Sequence, residues 1–184
     1  MPKAFYNMKK IIIIGCPGSG KSRLSIELQK ITGLPLFHLD NLFWNEDKTT
    51  VERSVFDQKL SEILKKSEWL IDGNYSRTME LRLSECDTVI FLDFDTDSCL
   101  QGIAERKGKP RPDMPWVEGE EDDPEFLEYV RNFKKDCRPE IMRLLSKYPE
   151  KKLFTLKNRT EVDEFLKKQI ILTSYRNYIA RSAP

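Results

Sequence analysis

The segment Lys10–Ser22, KIIIIGCPGSGKS, restricts the possible folds of this chain more than any other. Four consecutive isoleucines call for a strand covered on both faces. The glycines that follow call for backbone freedom near a surface. Both demands are met by a buried strand that ends abruptly at a loop whose bare N–H groups have work to do. Gly15-Cys16-Pro17-Gly18-Ser19-Gly20-Lys21-Ser22 matches G-x-x-x-x-G-K-[ST] in full, between a predicted strand and a predicted helix. Gly15, Gly18 and Gly20 allow successive N–H groups to face inward at a phosphate, and a helix starting near Lys21 adds its positive end. The motif therefore implies a nucleoside triphosphate site, with ATP and Mg²⁺ as the expected cofactors. Pro17 and Ser19 complete the cradle, Lys21 reaches the β- and γ-phosphates, and the Ser22 hydroxyl ligates the metal.

The rest of the chain alternates in the same way. Strands are predicted at 10–14, 36–39, 69–72, 88–94 and 152–155, and helices at 21–32, 54–66, 76–84, 96–106, 124–147 and 160–168. That order predicts a three-layer α/β/α domain of the P-loop NTPase type, with a five-stranded parallel sheet spanning residues 1–184 as one unit. The 31 Lys and Arg against 30 Asp and Glu leave a net charge of +1, and no basic block or helix-turn-helix stands out, which counts against direct DNA binding. Four scattered cysteines and a single histidine predict reduced thiols and no zinc site. With no signal or spanning segment recognised, a soluble cytoplasmic protein is expected, either monomer or homodimer.

Ligands of open parallel sheets gather at the carboxyl ends of the strands. Asp72 ends such a strand in WLIDG and is the candidate second metal residue; turn chemistry is its bland alternative. Asp93 and Asp95 follow VIFL, where a helix cap explains them as well as a metal does. His38 and Asp40 leave the second strand toward the cleft. A carboxylate there would repel a phosphate acceptor but take a proton from a hydroxyl. Trp44, beside Phe43, would stack on a substrate ring or pack the insert, and Arg53 and Arg77 are available to an anionic acceptor. Arg159, in Asn158-Arg159-Thr160, would lie beside the base, or the triplet simply caps a helix. Phe126, Val130, Phe133, Cys137, Ile141 and Leu144 form one apolar helix face, flanked by Arg131 and Arg138 as candidate phosphate contacts.

LIDGNYSRT at 70–78 is similar to the Asp-Gly-x-x-x-Arg-Thr stretch of adenylate kinases, aligning Asp72 and Arg77. HLDNLFW, DGNYS, RPD and EFLEYVRNF resemble, more closely, proteins known as DNA topology modulation or FlaR-type proteins. The resemblance implies a nucleoside- or nucleotide-kinase-like body with an acceptor-binding insert at 40–66 and a lid at 107–123. It implies an ATP-dependent phosphotransferase acting on a small-molecule acceptor, or else an ATP-dependent regulator of DNA topology without one. It places Arg106 at the entry to the lid and Arg131 eight residues after the Asp122-Asp123 pair, as catalytic arginines. The arginine that precedes this pair in adenylate kinases is replaced by Glu120, a departure that tells against adenylate as acceptor.

Overall fold

In the computed structural model, which describes residues 8–182 except 118 and 120, the isoleucine strand is the middle of the sheet. β1 (Lys10–Gly15) lies between β3 (Trp69–Asp72) and β4 (Thr88–Leu92), with β2 (Leu36–His38) and β5 (Lys152–Leu156) at the edges. The order is β2-β3-β1-β4-β5 and every pairing is parallel. Ile11, Ile12, Ile13 and Ile14 are all 0% exposed, so the continuous apolar run reports two covered faces rather than one. Each such side chain contributes roughly 1.5–3 kcal/mol by leaving water. The predicted three-layer α/β arrangement is what forms.

The helices are α1 (Lys21–Thr32), α2 (Leu39–Phe43), α3 (Arg53–Leu64), α4 (Ser76–Glu85), α5 (Thr96–Ala104), α6 (Pro124–Asp136), α7 (Arg138–Ser146) and α8 (Arg159–Ser182). Three differ from expectation, the first being α2, which forms where no helix was predicted. The helix predicted at 124–147 breaks at Cys137, because Pro139 lacks an N–H and its ring would clash with the carbonyl four residues back. Its apolar face survives the break: Val130, Phe133, Ile141 and Leu144 are buried, and Phe126 and Cys137 are packed against them. α8 runs on from the predicted 160–168 through Ser182, and Ile171 and Tyr178 there are 67% and 69% exposed, so these two side chains do not cover the core. Among the described residues, no helix is long and apolar enough to cross a membrane.

One buried charge holds the turn after β3. Arg82 of α4 is 0% exposed. It donates to the carbonyls of Gly73 (2.9 Å), Asn74, Tyr75 (3.1 Å) and Thr78 (3.4 Å). Burial lowers its pKa to about 10, which still leaves it protonated at neutral pH. Hydrogen bonds to a charged group contribute ~1.5–3 kcal/mol each, and stranded carbonyls cost more. Arg82→Leu is therefore expected to lower stability by about 3 kcal/mol or more, read as a fall in the urea midpoint at unchanged slope. A loss below about 1 kcal/mol would contradict this account of the turn.

Candidate phosphate-binding site

The loop between β1 and α1 gets its shape from close packing on α5. Gly18 has φ 82°, and a Cβ there would run into the carbonyl of Cys99. Reciprocally, a Cβ on Gly102 of α5 would strike the carbonyl oxygen of Gly18. Ser19 Oγ donates to the Cys16 carbonyl at 2.7 Å, and the Asn74 side chain clamps Gly15 on both sides. Its Oδ1 accepts from the Gly15 N–H at 3.0 Å and its Nδ2 donates to the Gly15 carbonyl at 2.7 Å. Gly20 is the N-cap of α1, with φ 94° and no capping side chain, so the first-turn amides are left for a ligand. Gly102→Ala is expected to cost about 1–3 kcal/mol through overpacking. It should also weaken nucleotide binding by moving the Gly18 carbonyl, which melting and binding titrations would show together. Unchanged affinity would mean that the loop does not depend on this contact.

Charges converge on the loop from three strand ends and from the segment 107–123. Lys21 Nζ is folded back on the carbonyls of Gly15 (3.0 Å) and Cys16 (3.2 Å). Burial pulls its pKa down, against the fields of Asp40 and Asp72. Asp72, 4% exposed, accepts from Ser25 Oγ at 2.9 Å and pairs with His38 Nδ1 at 2.8 Å. Burial works against protonation of His38, but its bond to Asp72 and that carboxylate's charge outweigh it and leave the pKa raised. Asp40 accepts from the Tyr75 hydroxyl at 2.7 Å; burial raises its pKa, against that bond and the charge of Lys21. Ser22 Oγ donates to Asp113 Oδ2 at 2.6 Å. Burial works against ionisation of Asp113, yet the Arg111 guanidinium and the Ser22 hydroxyl hold its pKa down at about 2.

Sequence reasoning named Lys21, Ser22, His38, Asp40 and Asp72, and these do lie around one point. It missed Asn74 as the clamp, Tyr75 as the partner of Asp40, and Asp113 on Ser22. Only the quoted strings DGNYS and RPD held any trace of them. Arg106 stacks over the Phe126 ring (5.8 Å) and acts on Lys21 through its charge. Arg159 lies over Phe94 (5.9 Å) and beside Gly20. Asn158 caps α8 by accepting from the Glu161 N–H at 3.0 Å. The two arginines expected beside the apolar face of 124–147 have different settings. Arg138 opens a new helix and forms a two-pronged pair with Asp93 (2.8 and 2.8 Å), whereas Arg131 is exposed and 3.6 Å from Glu128 of its own helix. Asp93 is thus an arginine partner, and Asp95 is the cap of α5, accepting from Ser98 N at 2.7 Å. Trp44 packs edge-on against Phe43 and Trp116, the packing alternative rather than an open stacking platform. Glu120 lies outside the described residues.

Two hollows open on the surface, one by Tyr75 and one against the loop. One of about 440 Å³ is lined by Phe43, Arg53, Phe56, Tyr75, Arg77 and Thr78 among others. Arg77 there is held by Asp57 through two bonds (2.9 and 2.5 Å). The second, about 200 Å³, includes Ser19, Gly20, Phe94 and Arg159. Among the described residues, no group of three or more His, Cys, Asp or Glu side chains could hold a metal alone. The oxygens of Ser22 and Asp72 are nevertheless hard donors of the kind magnesium takes when phosphates and water supply the rest of its shell. The residues present fit that ion.

Sheet order, glycine loop and the helix that follows it define a three-layer α/β/α P-loop fold. A shikimate kinase from Acinetobacter baumannii in complex with shikimate superposes with a TM-score of 0.61 at 16% identity, over 94% of this chain and 97% of that one. A gluconokinase from Sinorhizobium meliloti gives 0.55 at 14% identity, over 97% and 99%. In sequence, adenylate kinases of Thermotoga petrophila and Thermotoga maritima are 31% identical over 88 residues, 47% of this chain. The match takes in 39% of the length of those relatives, well under half. No family model matches the chain.

Proposed function

We propose that this protein is an ATP-dependent kinase that transfers a phosphoryl group to the hydroxyl of a small acceptor. The observation that carries the reading is the placement of Asp40, a half-buried carboxylate that acts on Lys21 through its charge and is oriented by Tyr75. Proteins of the same fold named for shikimate and gluconate, and relatives named adenylate kinase over part of their length, support it.

In this reading the glycine loop and the first turn of α1 hold the triphosphate tail. Lys21 gives up its two carbonyl partners to meet the β- and γ-oxygens. Ser22 would hold Mg²⁺ directly, and Asp72, already engaged by Ser25 and His38, would do so through water. When bound, Mg·ATP supplies the transferable phosphoryl group and a cation that spreads its charge. Asp40 accepts the acceptor's hydroxyl proton while the acceptor oxygen bonds to phosphorus and the bond to the leaving diphosphate breaks; its raised pKa brings it nearer to the working range of a base. The 440 Å³ hollow seats the acceptor, with Arg53 and Arg77 at hand for an anionic group, and the smaller hollow by Phe94 and Arg159 takes the base. Arg106, whose charge acts on Lys21, would meet the same phosphates, and the segment 107–123 would serve as the lid that excludes water. No observation favours the nucleotide-dependent regulator.

The test is ADP release from Mg·ATP across a panel of nucleosides, nucleoside monophosphates, polyols and hydroxy acids. Acceptor-dependent turnover above background hydrolysis with a hydroxyl compound is expected. Turnover with nucleoside monophosphates alone would replace the acceptor class. No acceptor dependence at all would remove the kinase reading.

A further inference from the structure

We propose that Asp113 positions the metal-binding oxygen of Ser22, so that docking of the segment 107–123 and loading of magnesium are one coupled event. The inference rests on the Mg·nucleotide reading above. A serine oxygen that coordinates a cation still carries a proton, which needs an acceptor. Here the acceptor is Asp113 Oδ2 at 2.6 Å, while both oxygens of Asp72 are already engaged by Ser25 and His38. Asp113 is 3% exposed, and Arg111 grips it through Nε (3.1 Å) and Nη2 (2.5 Å), which fixes the carboxylate's direction. A carboxylate that orients a metal ligand in this manner tunes metal affinity without touching the ion.

The segment carrying Asp113 is also anchored on the opposite side of the cleft. Asn41 Nδ2 of α2 donates to the Pro112 carbonyl at 2.8 Å, and Trp116 meets Trp44 edge-on with ring centres 5.2 Å apart. One stretch of irregular chain therefore holds the phosphate loop through Asp113 and the 40–66 region through Asn41 and Trp44. If Asp113 favours the metal, the metal must favour the docked segment by the same factor. A carboxylate merely standing in for phosphate would behave in the opposite way, since nucleotide would have to expel it.

Equilibrium dialysis of ADP, with magnesium or EDTA in excess, separates these signs. Asp113→Asn is expected to weaken ADP binding by about 10–100-fold in magnesium, the usual loss on removing a residue that orients a metal ligand, and to leave binding in EDTA nearly unchanged. Hydrogen–deuterium exchange of the wild-type 107–123 peptides supplies an independent readout. It should slow with Mg·ADP and not with ADP in EDTA. A variant that binds ADP more tightly, or weakens equally in both conditions, overturns the proposal, as does exchange indifferent to magnesium. If the wild type itself binds no ADP, the proposed function fails and this inference with it. If the wild type binds and only the magnesium dependence is unaltered by the substitution, this inference alone falls.

Discussion

Lys21→Ala is expected to lower phosphoryl transfer by about 10³-fold or more while leaving the fold intact, since the cations around a transferring phosphoryl group are each worth factors of this size. The half-buried ammonium at the head of α1 has, among the described residues, the carbonyls of Gly15 and Cys16 as its hydrogen-bond partners, so its removal opens the site without unlinking the sheet. The loop itself is held by Asn74, Ser19 and the packing of Gly18 on α5, none of which involves Lys21. Melting should therefore change little while turnover collapses. Lys21→Arg is not expected to rescue, because a planar guanidinium cannot replace a compact ammonium inside this cradle. An active Lys21→Ala protein would contradict the assigned site, and an unfolded one would contradict the account of what holds the loop.

Asp40→Asn tests the other side of the reaction. It keeps the shape and the oxygen that accepts from Tyr75 but removes the charge. If Asp40 takes the acceptor's proton, turnover falls by about 10²–10⁴-fold, the usual span for a positioned base. ATP affinity should hold or improve slightly, since a carboxylate near the triphosphate is lost. The split is measured as a fall in kcat against an unchanged Kd for Mg·ATP. Unchanged turnover would mean a phosphate acceptor, or an Asp40 whose work is to hold Tyr75.

What could be read in the sequence was what local chemistry dictates. The four isoleucines, the glycine spacing and Lys21-Ser22 located β1, the loop and the start of α1, because each rests on backbone freedom or burial within a few residues. The α6–α7 break was hidden because the apolar period runs straight through Cys137 to Ile141, and only Pro139 marked the interruption. The length of α8 was hidden for a different reason: helical propensity continues past the point where its apolar residues stop being covered. Buried ion and hydrogen-bond partners were least legible. Arg82 looks like any helix arginine until its four carbonyls are seen, and nothing in the sequence announces the pairing of Arg138 with Asp93. Asp113 stands among prolines and charges with no apolar period, yet it is buried against Ser22. Such pairings join residues tens of positions apart and leave no periodicity behind.

The most direct measurement is titration calorimetry of Mg·ATP into the intact protein, with Lys21→Ala as control. Saturable one-to-one binding by the wild type, lost or strongly weakened in the variant, is the result expected of a triphosphate cradle at the end of β1. No heat with either Mg·ATP or Mg·GTP, or equal heat in wild type and variant, would contradict it.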